Sequence, residues 1–150
     1  MPTTAPDGPI LRQAWFDELT PHEVYGLCRL RVDVFVVEQQ CPYPELDGRD
    51  LEPGTVQLWF EAGGVPVATI RVLDESGDGR AIGRVATAAS HRGRGLAGSL
   101  LTAGIELCGD APIHLGAQAH LEGWYEGFGF RRSGTPYMED GIPHVPMRRG

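Results

Sequence analysis

Arginine and glycine alternate through Arg92-Gly93-Arg94-Gly95, between the apolar stretch Ile82–Ala89 and an amphipathic run that begins at Leu96. A strand that feeds a glycine turn and then a helix leaves the first helical N–H groups without intrahelical partners, at the positive end of the helix dipole. Gly93 and Gly95 have no Cβ, so an anion can approach the backbone closely. Arg92 and Arg94 add charges that no local pH change removes. This order predicts a pyrophosphate site. It also constrains the fold, because the strand, loop and helix lead into a second strand at Ile113–Ala117, and such a unit is a parallel crossover.

What is missing narrows the ligand. A Walker loop ends in Gly-Lys-Ser/Thr, and the chain has no lysine. Gly93-Arg94-Gly95-Leu96-Ala97-Gly98 does fit G-x-G-x-x-G. However, the glycines stand behind two arginines, and no ribose-binding acid follows in a βαβ unit. The plain alternative is a solvated loop whose glycines only make a turn.

The rest reads as α+β. Ile10–Phe16 is a strand, and Thr20-Pro21-His22-Glu23 is a capping box with proline at the first helical position. Val24, Leu27, Cys28, Arg31, Val34 and Phe35 follow at helical spacing, with an end expected near Val37. Residues 39–54 carry Pro42, Pro44, Gly48 and Pro53, which makes a loop of the length usually kept for function. Val56–Glu61 and Val67–Leu73 are strands joined at Gly63-Gly64. Leu96–Cys108 is a helix. A second helix, Leu121–Phe128, puts Leu121, Trp124 or Tyr125, and Phe128 on one face, and Gly129 is placed to end it in a left-handed conformation. Phe130 and His144–Arg148 supply closing strands. The expectation is a short disordered tail at residues 1–8 and a single domain over 9–150.

Composition excludes several classes. A net charge of −7 over 150 residues, with no broad basic face, argues against nucleic-acid binding. Three irregularly spaced cysteines make no disulfide framework; Cys28 and Cys108 read as buried helix residues. No apolar run approaches the ~20 residues of a membrane span, and no basic-then-apolar signal stretch opens the chain, so a cytoplasmic location is expected. The histidines are scattered and no Cys/His pair has ligand spacing, so no metal is expected.

Arg92-Gly93-Arg94-Gly95-Leu96-Ala97 resembles the R/Q-x-x-G-x-G/A signature of the GNAT acetyltransferases. The segment from Gln118 to Phe130, with Tyr125, Gly129 and Phe130, resembles the family's Y-x-x-x-G-F helix. Leu30–Gln39, Cys41-Pro42-Tyr43, Asp47-Gly48-Arg49-Asp50 and Asp140–Met147 resemble the ElaA-like branch. The resemblance implies a GNAT fold: a mostly antiparallel mixed sheet flanked by helices, with a splayed parallel strand pair and acetyl-CoA wedged between those strands. It implies that the backbone of Val85, Ala86 and Thr87 pairs with the pantetheine arm. Arg92, Gly93, Arg94, Gly95, Leu96 and Ala97 would then hold the pyrophosphate. Gln118 stands where the family often has an asparagine that reaches the pantetheine, one methylene longer. Tyr125 would donate a proton to the departing CoA thiolate; its other reading is a core aromatic. A homodimer is possible on the same grounds.

Acetyl transfer to an amine needs a group to take a proton from a nitrogen whose pKa is about 10. The candidates are Glu38, His120 and His144. Partial burial would raise Glu38; otherwise it is an exposed helix end or a partner of Arg31 or Arg71. His120 serves equally as a cap or an exposed residue. His144, between Pro143 and Pro146, suits a pocket or a structural hydrogen bond. Asp47, Asp50, Glu139 and Asp140, with Glu38, would draw a cationic acceptor or simply be solvated. Tyr43 and Trp124 would wall the pocket or pack the core. The reading is N-acetyl transfer from acetyl-CoA to an amine on a small molecule or peptide. The alternatives are a non-catalytic acyl-CoA-binding domain and a nucleotide-binding regulator.

Overall fold

The computed structural model describes residues 8–150. The tail expected at residues 1–8 lies, apart from Gly8, outside them. β1 (Ile10–Trp15) leads to α1 (Pro21–Val32) through the expected capping box: the Thr20 hydroxyl accepts from the Glu23 N–H at 3.1 Å, and the Glu23 carboxylate accepts from the Thr20 N–H at 2.9 Å. α1 does not stop at its last α-helical residue. It widens into a π-helical turn over Asp33–Glu38, a distortion often found at functional sites. Its buried face carries Leu27, Leu30 and, in the turn, Val34, with Arg31 among them.

β2 (Val56–Ala62) and β3 (Val65–Asp74) form the expected hairpin. Gly63 and Gly64 both have positive φ, which the tight right-twisted turn requires. β4 (Arg80–Thr87), α2 (Leu96–Cys108) and β5 (Ile113–Gln118) make the crossover, followed by α3 (Glu122–Glu126). β6 (Arg131–Arg132), β7 (Tyr137–Glu139) and β8 (Ile142–Arg149) close the sheet. The strand order is β1-β2-β3-β4-β5-β8-β6, with β7 also on β8. β7 was not anticipated in the sequence reading.

Among the paired strands only β4 and β5 run parallel, and they pair only at Arg80↔Ile113 and Ala81↔His114. Beyond Ala81 they part. The β5-facing edge of β4 beyond Ala81 therefore has no strand partner.

The two faces differ. Ile70 and Val72 on β3 meet Leu100 and Leu101 of α2 in the main core, each large aliphatic contributing roughly 1.5–3 kcal/mol by leaving water. Gly104 lets α2 approach closely, since a Cβ there would stand 2.8 Å from Ile70 Cδ1. Arg71, between Ile70 and Val72, points to the opposite face by the strand's period of two. On that face α1 packs Leu30 and Val34 against Ala86.

Candidate active site

The parted ends of β4 and β5 open into a cleft of about 710 Å³, bounded also by the end of α1, the loop after Thr87 and the β7–β8 hairpin. Val85, Ala86, Thr87, Arg92 through Ala97, Gln118, Tyr125, Glu38 and His144 line it, as do Glu139 and Asp140, whereas Asp47 and Asp50 do not.

The phosphate-loop candidate has the backbone expected of an anion cradle. Gly93 and Gly95 sit at φ 77° and 73°, the left-handed region open to glycine at little cost, and Gly95 caps α2. A Cβ built on either glycine meets nothing within 4 Å, so the loop borders open space. The Arg92 Nε donates to the Thr87 carbonyl at 3.0 Å, which ties the arginine back to β4. These features fit a pyrophosphate, with the unpaired edge of Val85–Thr87 left for the arm behind it.

Tyr125 enters from α3, which ends in a Schellman motif. The Gly129 N–H bonds to the Glu126 carbonyl at 3.0 Å and the Phe130 N–H to the Tyr125 carbonyl at 3.3 Å, with Gly129 at φ 89°. The ring packs edge-on to Trp124 and Phe130. Its residue is 5% exposed, and burial pushes the phenol up to about 12, so it is a proton donor at neutral pH.

His144 faces Gln118 across the β5–β8 ladder and stacks on Tyr137 at 5.5 Å. Its Nδ1 lies 2.7 Å from the Ile142 carbonyl oxygen. A carbonyl only accepts, so in the neutral ring Nδ1 carries the proton and Nε2 presents a lone pair. Nε2 stands 3.6 Å from the Glu139 carboxylate.

Of the two readings of Glu38, the exposed helix end holds and partial burial does not; its arginine partner is Arg92 rather than Arg31 or Arg71. Its carboxylate accepts from Arg92 at 2.7 Å in an exposed pair, and that hydrogen bond holds it below the ordinary carboxylate range. His120 is exposed and makes no capping bond.

The expected acidic entrance is also redistributed. Asp47 and Asp50 are not free acids: Asp47 binds Arg71 at 2.9 Å and Arg84 at 3.2 Å, and Asp50 binds Arg31 at 2.7 Å. Glu139 and Asp140 form no ion pair with an arginine among the described residues. Tyr43 lines the cleft with its ring under the Arg84 guanidinium.

Arg84 was missed. It is a non-glycine residue at φ 54°, where two residues, Arg84 and Val85, face Ile70 alone, so β4 bulges at the edge of the cleft. Its guanidinium meets Glu45 and Asp47 on the 39–54 loop. An arginine inside an otherwise apolar strand was the available clue. Among the described residues no group of three metal-ligating side chains stands together.

A model of the acetyltransferase (GNAT) domain matches residues 22–149 of the chain. The chain belongs to the GNAT acetyltransferase family. Within it the sequence falls in the ElaA-like branch: it is 40% identical to protein ElaA of Escherichia coli over 88% of this chain and 90% of that protein. It is 46% identical to the UPF0039 protein Rv2851c of Mycobacterium tuberculosis, over 93% and 92%. The fold agrees with a crystal structure of an acyl-CoA N-acyltransferase from Pseudomonas aeruginosa at a TM-score of 0.89 and 40% identity, covering 95% of this chain and all of that one. The parallel β4–β5 pair belongs to that fold, and acyl transfer from an acyl-CoA is the family's reaction class.

Proposed function

We propose that the chain, acting as one domain over residues 9–150, transfers the acetyl group of acetyl-CoA directly to a primary amine, in the cytoplasm. The observation that carries this is the buried, protonated Tyr125 on the same cleft as the Arg92–Ala97 cradle and the lone pair of His144. Acetyl-CoA supplies an activated acyl carbon whose C–S bond breaks as a C–N bond forms. Val85–Thr87 hold the arm along the open edge of β4, and an N–H there polarises the thioester carbonyl. His144 Nε2 takes the proton that the amine must lose. Tyr125 gives its proton to the departing sulfur. Glu38, lowered by its hydrogen bond to Arg92, is assigned no proton-transfer step in this reading.

Glu139 and Asp140 give the acceptor end negative charge, whereas Arg92 and Arg94 make the other end positive. That polarity favours a cationic amine for the acceptor and keeps anionic cofactor groups at the loop.

The test is thiol release from acetyl-CoA across a panel of primary amines, for wild type and Tyr125→Phe. The proposal expects turnover to fall at least ~10-fold with acetyl-CoA affinity unchanged. Equal turnover by the two proteins removes the acid role. Binding of acetyl-CoA without thiol release for any amine favours a non-catalytic acyl-CoA-binding domain.

A further inference from the structure

Glu38, the last residue of the π-helical turn, and Gln39, just after it, reach both walls of the cleft. Glu38 accepts from Arg92 on the phosphate loop at 2.7 Å, and its neighbour Gln39 accepts from the Gln118 side-chain N–H at the end of β5 at 3.4 Å. Arg92 and Gln118 are the groups assigned to the pyrophosphate and the pantetheine arm. Both are therefore engaged by one short segment. That segment is the end of the π-helical turn Asp33–Glu38, a wider and less regular stretch than the α1 helix it continues. The Arg92 Nε is committed to Thr87 and a terminal nitrogen to Glu38, so a phosphate oxygen that takes that nitrogen competes with the carboxylate.

We propose that Glu38 and Gln39 form a strap that competes with acyl-CoA for Arg92 and Gln118, and that displacement of the strap frees the Glu38 carboxylate for the acceptor end. Glu38 is thus a specificity residue exposed by the first substrate. Paired with Arg92, the carboxylate has its charge cancelled. Once phosphates hold Arg92, the carboxylate joins Glu139 and Asp140 on the same cleft, and a cationic acceptor meets a more negative site. This inference rests on the acyl-CoA reading of the cleft.

The strap can be tested by binding alone, without a known acceptor. Acetyl-CoA is titrated calorimetrically into wild type, Glu38→Gln, Arg92→Ala and the double variant, with S-acetylpantetheine, which lacks the phosphates, as a second probe. An exposed ion pair is a modest competitor, so Glu38→Gln is expected to tighten acetyl-CoA binding roughly threefold. The gain vanishes in the Arg92→Ala background and for S-acetylpantetheine. Glu38→Gln binding that is unchanged or weaker, while Arg92→Ala weakens binding, overturns the strap and leaves the acyl-CoA reading standing. Wild type that binds no acetyl-CoA overturns both.

Discussion

Arg31 of α1 lies in the protein interior with its guanidinium 2.9 Å from the Glu45 carboxylate, both side chains 2% exposed. Around them Asp50, Arg71, Asp47 and Arg84 alternate in sign, and Gln57 donates to Asp50 at 2.8 Å. Three arginines face three carboxylates. The set fastens the 39–54 loop to α1, β3 and the bulge of β4, so a segment with almost no regular structure borders the cleft in a fixed position. Tyr43, which donates to Glu45 at 2.7 Å, is pinned with it.

Removing one member leaves an opposite charge buried without compensation. Arg31→Met leaves three carboxylates facing only Arg71 and Arg84, so one buried negative charge is in excess, and it is expected to cost about 3–5 kcal/mol in urea unfolding, a large share of a typical domain's stability. A loss under about 1 kcal/mol would show that the loop is held by something else.

Acid acts on the same network. Burial raises Asp47, but the Arg71 hydrogen bonds, the Arg49 N–H and the nearby charges of Arg71 and Arg84 more than reverse this and leave it at about 2, against 3.8 unperturbed. Its folded pKa is depressed, so its contribution is complete above the unfolded value and is lost as pH falls from there toward the folded one. Asp47 is partly open to solvent, and after screening the amount is of order 1 kcal/mol. Asp50 is lowered as well, with Arg31 outweighing burial, and adds in the same direction. The thermal midpoint is expected to drop between about pH 4 and pH 2, and Asp47→Asn to flatten that drop. A variant with the wild-type pH profile would show that Asp47 carries none of it.

Gly95 provides a different test. Space for a methyl group exists, so Gly95→Ala costs only backbone strain at φ 73°, about 1 kcal/mol. The added carbon nevertheless projects where a phosphate would approach. Acetyl-CoA affinity should fall by more than the small change in the unfolding midpoint suggests; an unaltered affinity would move the pyrophosphate off this loop.

The elements that are local in sequence were legible in it. The capping box at Thr20, the span of α2, the glycine turn of the first hairpin and the left-handed end at Gly129 are each set by neighbouring residues, and the structure has them where the sequence reading put them. The gathering of Arg92–Ala97, Gln118 and Tyr125 on one cleft followed from motif order. The ion network did not. Arg31 and Asp50 are 19 positions apart and Arg71 and Asp47 are 24 apart, and no local rule says which of 13 arginines meets which acid. For this reason Arg92 was not singled out as the partner of Glu38, and Asp47 and Asp50 were left as open loop acids. β7 was legible but overlooked: Asp140-Gly141, at φ 51° and 78°, is a strong two-residue hairpin sequence, and it places Glu139 beside His144. The bulge at Arg84 had only a charge out of place in an apolar strand to announce it.

The central claim is that acetyl-CoA enters between β4 and β5 with its pyrophosphate on the Arg92–Gly95 loop. The direct measurement is calorimetric titration of acetyl-CoA into wild type and Arg92→Ala/Arg94→Ala. The account predicts micromolar binding that the paired change weakens at least tenfold, ~1.4 kcal/mol. Equal affinity in the two proteins, or none in the wild type, would contradict it.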